Sequence, residues 1–245
     1  MRGFERDLGP ASPPRAGERT PRSVGEGDRS SGGAVDDAIE AFRAGDPVLV
    51  HDGSDREDET DLVYPARSVR PAVVARLRND AGGLICVAVT DRLARRWDLP
   101  FLRKALDHPA TANHDLEYGD RSSFSLTVNH RDTYTGITDE DRSRTISALG
   151  AAAAAPEPID FPATFRTPGH VHLLRAAPGL VADRRGHTEL GLALAAAAEV
   201  APAVVVCEML DDETGRALAR GSAKSYADRN GFPYVEGERI VARFG

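Results

Sequence analysis

Lysine and cysteine are scarce in this sequence: lysine occurs only at Lys104 and Lys224, and cysteine only at Cys86 and Cys207. Both cysteines lie within apolar runs, which argues against a disulfide framework and predicts buried thiols in a reducing compartment, the cytoplasm. No apolar run is long enough to span a membrane, and the N-terminus lacks the apolar segment of a signal peptide. The net charge of −7 argues against a broad basic surface for nucleic acid. We therefore expect neither nucleic acid nor membrane as a partner.

The composition changes at about residue 33. Residues 1–33 are rich in Gly, Pro, Ser, Arg and Glu and contain too few apolar residues to offset the entropy of ordering, so we predict a disordered tail. Residues 34–245 are long enough to bury one substantial core and are expected to form a single domain.

Helix-like and strand-like segments alternate after the tail. Val35, Ile39 and Phe42 recur at helical spacing, and further helices are predicted over 71–81, 139–149, 188–199 and 222–230. Strands are predicted over 47–51, 62–66, 84–90, 124–128, 171–174, 203–210 and 234–237. This alternation indicates an α/β or α+β domain around a mixed sheet.

The stretch DGSDREDETD, residues 52–61, contains six carboxylates and one basic residue, Arg56, between two predicted strands. Composition alone favours an exposed acidic turn, because runs of charge are usually solvated. Loops supported by a sheet also commonly carry functional residues, so a site for a cation and a substrate is the second interpretation. It lacks the spacing of an EF-hand loop, so any metal needs a further ligand elsewhere in the chain.

RRGHTE, residues 184–189, precedes an apolar helix and supplies a candidate for that ligand, His187. The amides of a helix start, a guanidinium and the hydroxyl of Thr188 together suit a phosphate group. The alternative is a helix that Thr188 caps, with His187 merely exposed.

Three further motifs have both a chemical and a structural interpretation. His170 in TPGHVHLL is a candidate acid or base, or a structural histidine at a strand start, and His172 competes for the role. Glu208 follows an apolar run, so half burial would raise its pKa and make it a candidate acid or base. The alternative is a structural carboxylate paired with a nearby arginine. In TGITDEDRSRTI, Thr138 and Asp141 resemble a capping box, although Arg142 and Thr145 could also face an anion.

Six motifs taken in order resemble 3,4-dihydroxy-2-butanone 4-phosphate synthase of riboflavin biosynthesis: DREDETD, GGLICVAVT, TGITDEDRSRTI, TPGHVHLLRA, RRGHTE and VVVCEM. The resemblance covers roughly residues 34–240. It implies an α+β fold of the three-layer α/β/α type, a single domain around a mixed twisted sheet with helices on both faces. It also implies a homodimeric lyase that uses Mg²⁺, or Mn²⁺ in its place, to convert D-ribulose 5-phosphate into L-3,4-dihydroxy-2-butanone 4-phosphate and formate.

The resemblance also implies roles for individual residues. Glu57 and His187 would be the metal ligands, and His170 and Glu208 the catalytic residues. The substrate contacts would be Arg56, Glu57, Asp61, Arg184, Arg185, Gly186, His187, Thr188 and Glu208. Asp52, Glu59, Cys86 and Tyr118 match pocket positions with less certain roles.

One of these positions departs from the family pattern. Arg185 stands where many members have glycine, so it would either narrow the approach to the phosphate or add a positive contact.

Two other functions stay open: a different metal-dependent sugar-phosphate isomerase or lyase, and a binding protein that retains the fold without catalysis. Removal of a proton beside a ketose carbonyl needs a carboxylate base and a cation, which is what the motifs supply.

Overall fold

A computed structural model describes residues 33–111, 121–155, 157 and 159–245. The strands are β1 Val48–His51, β2 Thr60–Pro65, β3 Cys86–Val89, β4 Phe124–His130, β5 Phe165–Arg175, β6 Ala203–Val206 and β7 Tyr234–Glu236. The helices are α1 Gly33–Ala44, α2 Pro71–Asp80, α3 Asp91–Arg96, α4 Leu102–Ala105, α5 Asp139–Ala154, α6 Phe161–Thr164, α7 His187–Ala197, α8 Arg220–Asn230 and α9 Gly237–Phe244. Residues 1–32 of the predicted tail, and Tyr118, lie outside the described residues.

The seven strands form one sheet in the order β4-β5-β3-β6-β2-β1-β7. The pairs β3–β5 and β1–β7 are parallel, whereas β1–β2, β2–β6, β3–β6 and β4–β5 are antiparallel. The mixed sheet predicted from the sequence is therefore confirmed. β5 begins at Phe165, six residues before the predicted start, because this extension pairs with the end of β4 across His130 and Phe165.

Helices cover both faces of the sheet, as the resemblance implied. Buried residues of α2, α3, α5 and α8 belong to one apolar cluster, and those of α1, α7 and α9 belong to a second. Successive residues of one strand point to opposite faces, so Leu49 lies in the first cluster while Val48 and Val50 lie in the second. The two clusters explain why β1, β2, β3 and β6 are buried along their whole length.

None of the helices in the described ranges is long and apolar enough to cross a membrane. Cys86 and Cys207 are both buried and free, as expected from the apolar runs around them. They belong to different apolar clusters of the sheet, Cys86 to the one with α7 and Cys207 to the one with α5.

The start of α5 confirms the predicted cap. Thr138 is the N-cap, and its hydroxyl accepts a hydrogen bond from the backbone N–H of Asp141 at 3.1 Å. The carboxylate of Asp141 accepts from the backbone N–H groups of Tyr134, Thr135 and Gly136 rather than from that of Thr138, so the reciprocal bond of a capping box is not formed and that part of the prediction is wrong. The local sequence thus fixes both the helix start and the loop before it.

We expect Thr138→Ala to lower the free energy of unfolding by about 1 kcal/mol, because one amide of the first turn loses its acceptor. Urea denaturation followed by circular dichroism measures the change. Thr138→Ser keeps the hydroxyl and serves as the control. Equal stability of the alanine and serine variants would show that the cap contributes nothing measurable.

Candidate functional site

The acidic loop, residues 52–59, connects two strands that pair across His51 and Thr60. It is folded around Asp52, which is 4% exposed and whose carboxylate accepts the backbone N–H groups of Glu57 and Glu59, both at 3.1 Å. Asp61, at the start of the next strand, is also buried. The interpretation as an exposed acidic turn is therefore wrong for the residues that face inward.

A cavity of roughly 230 Å³ lies beside this loop. Three carboxylates line it: one comes from the acidic loop and two come from the ends of strands. The start of α7 completes the lining. The lining residues are Glu57, Asp61, Cys86, Ser122, Ser123, Phe124, Leu174, Arg184, His187, Thr188, Val206 and Glu208. Seven of the residues that the sequence pointed to thus share one cavity, although they span more than half of the chain.

His187 is the centre of the acidic side of the cavity. Its Nδ1 lies 3.5 Å from Oδ1 of Asp61 and 3.7 Å from Oε2 of Glu57, and its Nε2 lies 3.3 Å from the carbonyl oxygen of Glu59. A carbonyl can only accept, so Nε2 carries a hydrogen and Nδ1 faces the carboxylates. A histidine that donates through one nitrogen to a backbone carbonyl is held in the orientation of a metal ligand.

The same residues fit a divalent cation. Asp52, Glu57 and His187 each offer a ligand atom, and these three atoms lie within 4.8 Å of one another. Oδ1 of the buried Asp61 has no hydrogen-bond partner among the described residues, although it lies in ion-pair distance of Nδ1 of His187. Carboxylate oxygens with one imidazole suit Mg²⁺ or Mn²⁺. The family resemblance implies Glu57 and His187 as ligands and Asp52 only as a pocket residue, so the structure adds Asp52 to the candidate ligands.

The shifted pKa values of the side chains in the cavity also indicate that a positive charge would be stabilised there. Burial raises the pKa of Asp61 to about 8, and the neighbouring Glu208 and Glu57 add to the rise against the opposing effect of His187. Burial also raises the pKa of Glu208, as predicted from its position after an apolar run. Burial would lower the pKa of His187, but Asp61 and the other carboxylates raise it to about 9. A bound cation would relieve this crowding of acids.

The start of α7 forms a second, positively charged part of the site. Gly186 is the N-cap of α7 and Thr188 lies in its first turn, so the interpretation of Thr188 as the cap is wrong. His187 is buried rather than exposed. A side chain at Gly186 would overlap the guanidinium of Arg184 and come within 3.1 Å of that of Arg56. Two guanidiniums therefore converge over a helix start, which is an arrangement suited to a phosphate group.

Arg184 is held in place by a buried carboxylate that sequence reasoning did not assign. Glu189 is fully buried in α7, and its Oε2 accepts a hydrogen bond from Nη1 of Arg184 at 2.8 Å. Its Oε1 accepts the backbone N–H of Ala177 at 2.9 Å. The final glutamate of RRGHTE was thus a signal for a group that orients the arginine.

Several residues named from the sequence do not line the cavity. His170 is exposed on β5, two residues before His172, whose ring lies 5.8 Å from that of Phe124 in the cavity lining. Arg185 is exposed and borders a separate hollow that Asp52, Asp55, Arg56 and Glu238 also line.

Arg142 and Thr145 have structural contacts away from the cavity. Arg142 lies 3.5 Å from Asp139, and the hydroxyl of Thr145 accepts from the backbone N–H of His130. Neither residue is in the cavity lining. The cap at Thr138 is therefore the part of this motif that the structure bears out.

Comparison with known proteins identifies the family. The pattern of the 3,4-dihydroxy-2-butanone 4-phosphate synthase family matches residues 36–243 of this chain. The chain belongs to this family. The synthase of Archaeoglobus fulgidus is 46% identical over 221 residues, which are 85% of this chain and 93% of that protein.

Solved structures of the synthase family share the fold. One, in complex with two magnesium ions, is 32% identical with a TM-score of 0.71, and the match covers 85% of this chain and 95% of that one. A two-domain synthase from A. baumannii is 30% identical with a TM-score of 0.72 over 84% of this chain. The present chain spans 56% of the length of that two-domain protein. The α+β fold with a mixed sheet is thus confirmed.

Proposed function

We propose that this chain is a 3,4-dihydroxy-2-butanone 4-phosphate synthase, a metal-dependent lyase of riboflavin biosynthesis whose synthase domain is residues 34–245. It would convert D-ribulose 5-phosphate into L-3,4-dihydroxy-2-butanone 4-phosphate and formate. The observation that carries the proposal is one cavity that is lined both by the carboxylates of Glu57, Asp61 and Glu208 and by the anion-binding groups of Arg184 and Thr188. All atoms of the substrate are recovered in the two products, so the reaction needs no oxidant or reductant.

The two parts of the cavity would hold the two ends of the substrate. The phosphate would lie at the start of α7, between Arg184, the amides after Gly186 and the hydroxyl of Thr188, with Arg56 completing the charge. The carbonyl and hydroxyl oxygens would then face the carboxylates. Arg185 is exposed and lines the separate hollow beside Arg56, so it would contribute positive charge without lining the cavity.

Glu57 and His187 would hold the metal, with Asp52 as a third ligand. The magnesium-bound relative supports Mg²⁺, and the imidazole in the ligand set makes Mn²⁺ the alternative. When bound, the ion supplies positive charge that favours loss of the proton beside the ketose carbonyl.

Glu208 is our candidate for the base that removes this proton. It lies in the cavity lining, and burial raises its pKa, which brings proton exchange closer to neutral pH. Asp61, with a pKa of about 8, would be a reservoir for a second proton. His170 would act on a substrate oxygen during the later rearrangement.

Carbon-13 NMR of the full chain with labelled D-ribulose 5-phosphate and Mg²⁺ tests the proposal. We expect formate and a four-carbon phosphoketone, and no product in a sample treated with EDTA. A five-carbon isomer without formate would instead identify a sugar-phosphate isomerase. Substrate that stabilises the folded protein against heat but stays unchanged would identify a binding protein.

We further propose that the chain acts as a homodimer in the cytoplasm. Tyr134 is 94% exposed and Ile137 50% exposed in the loop whose backbone Asp141 holds, and exposed large apolar side chains favour a protein interface. His170 is exposed on the strand pair beside this loop, so a second copy could bring it to a cavity. The two buried free thiols are consistent with a reducing compartment.

Replacement of Glu189 by glutamine should raise KM for the sugar phosphate by about 10-fold or more, with a smaller change in kcat. The new amide keeps an acceptor for Ala177 but turns an N–H group toward Arg184, which would displace the guanidinium. Steady-state kinetics separate the two constants. Glu199→Gln, at an exposed position just after the end of α7, is the control. An unchanged KM in Glu189→Gln would show that Glu189 does not position Arg184 for substrate binding.

A further inference from the structure

We propose that Asn129 positions His170 and selects its tautomer, so that the neutral imidazole carries its hydrogen on Nε2. Asn129 would thus be a positioning residue for the reaction, and His170 a hydrogen-bond donor to the substrate rather than a base. The inference rests on the proposed catalytic role of His170. It assigns to the two residues of β4 and β5 a function that the cavity lining alone does not reveal.

The orientation of the Asn129 carboxamide follows from a backbone contact. Asn129 is 4% exposed on β4, and its Oδ1 lies 2.8 Å from the backbone nitrogen of His170 on the neighbouring strand. A backbone N–H can only donate, so the atom that it meets must be the oxygen. The backbone contact therefore distinguishes Oδ1 from Nδ2, and Nδ2 is the atom nearer to Nδ1 of His170.

The ring nitrogen faces this amide group. Nδ2 of Asn129 lies 3.2 Å from Nδ1 of His170, whereas Oδ1, already engaged by the backbone, lies 3.4 Å from it. A hydrogen on Nδ1 would point towards the nearer amide donor, and its only acceptor on Asn129 would be the more distant Oδ1. The favourable arrangement is an amide N–H that donates to a bare Nδ1, which leaves the hydrogen of the neutral ring on Nε2.

The surroundings hold the carboxamide in this position. Gly136 has a φ of +93°, and a side chain there would overlap the carboxamide of Asn129. The backbone N–H of Gly136 donates to Asp141 at 2.8 Å, so the loop is tied to the start of α5. The carboxamide of Asn129 is thereby packed closely against Gly136 as well as bonded to His170, which is the property expected of a group that orients a catalytic side chain.

This tautomer divides the chemistry between two residues. With a hydrogen on Nε2 the exposed edge of His170 offers a donor, which suits polarisation of a carbonyl or hydroxyl oxygen. Removal of a carbon-bound proton would then belong to a carboxylate, for which Glu208 is placed in the cavity. The pairing of a neutral imidazole donor with a carboxylate base is known chemistry for enediolate formation.

Nitrogen-15 NMR of the histidine-labelled full chain at alkaline pH tests the tautomer directly. His170→Gln identifies the signals of this ring among those of the seven histidines. We expect Nδ1 to give the signal of an unprotonated nitrogen and Nε2 that of a protonated one. Asn129→Asp keeps the acceptor for the backbone of His170 but replaces the amide by a second acceptor, so the hydrogen should move to Nδ1.

Kinetics of the same variants test whether the tautomer matters. We expect kcat of Asn129→Asp to fall by at least about 10-fold, with KM within about 2-fold of the wild type. Thr127→Val is the matched control on β4, because it removes the hydrogen bond to the backbone N–H of Gly169 without touching the ring. The control should keep both the wild-type tautomer and kcat.

A hydrogen on Nδ1 in the wild type, or an unchanged tautomer in Asn129→Asp, would overturn the inference. So would a switched tautomer with unchanged kcat. The wild-type spectrum decides the tautomer even if a variant does not fold. If the wild type releases no formate, the proposed function fails while the spectrum still decides whether Asn129 selects the tautomer.

Discussion

Replacing Glu208 by glutamine should lower kcat by about 10²- to 10⁴-fold, the usual contribution of a general base. Glutamine has the same shape but cannot take a proton, so substrate binding and KM should change little. The expectation rests on the position of Glu208 in the cavity lining and on burial, which raises its pKa. Formate release followed by NMR measures kcat.

Glu213→Gln makes the same change of charge at an exposed position five residues later and is expected to leave kcat unaltered. A near-normal kcat in Glu208→Gln would remove Glu208 from proton transfer. Asp61, whose pKa of about 8 also suits exchange near neutrality, would then be the next residue to replace.

Sequence reasoning succeeded where short-range patterns decide the structure. The hydroxyl of Thr138 and the amide of Asp141 are three residues apart, so their cap could be predicted locally. The seven strands were all predicted because their apolar runs are bounded by turn residues. Helices α3, α4 and α6 were missed because four to six residues are too few to show a helical period. Helix α9 was also missed, since its eight residues carry only a narrow apolar stripe around Ile240.

The candidate site was predicted through its motifs, but the contacts within it depend on long-range structure. The carboxylate of Asp52 accepts the backbone N–H groups of the loop and is also a candidate metal ligand. Only the fold of the loop places it beside His187. Ser123 and Phe124 reach the cavity because β4 pairs with β5, a register that the sequence does not specify. The same pairing joins Asn129 to His170 across 41 residues.

Replacing Glu57 by glutamine should weaken Mn²⁺ or Mg²⁺ binding by about 100-fold or more and abolish most of the activity. Loss of groups that only support metal ligands already costs about 10- to 100-fold in affinity, and removal of a ligand should cost at least as much. Titration of the metal-free protein with Mn²⁺, followed by electron paramagnetic resonance, measures the free ion. Asp55→Asn makes the same change of charge at an exposed position of the acidic loop and is the matched control.

The pH dependence of this titration distinguishes a coordinated ion from one attracted by charge alone. The carboxylates around His187 raise its pKa to about 9, so the imidazole carries a proton near neutral pH when no metal is bound. Coordination through Nδ1 requires that this proton leave, and affinity should therefore rise by at least about tenfold per pH unit between about pH 6 and 8, and more steeply if Asp61 also loses a proton. A pH-independent affinity, or equal losses in Asp55→Asn and Glu57→Gln, would show that the acids attract the cation without His187 as a ligand.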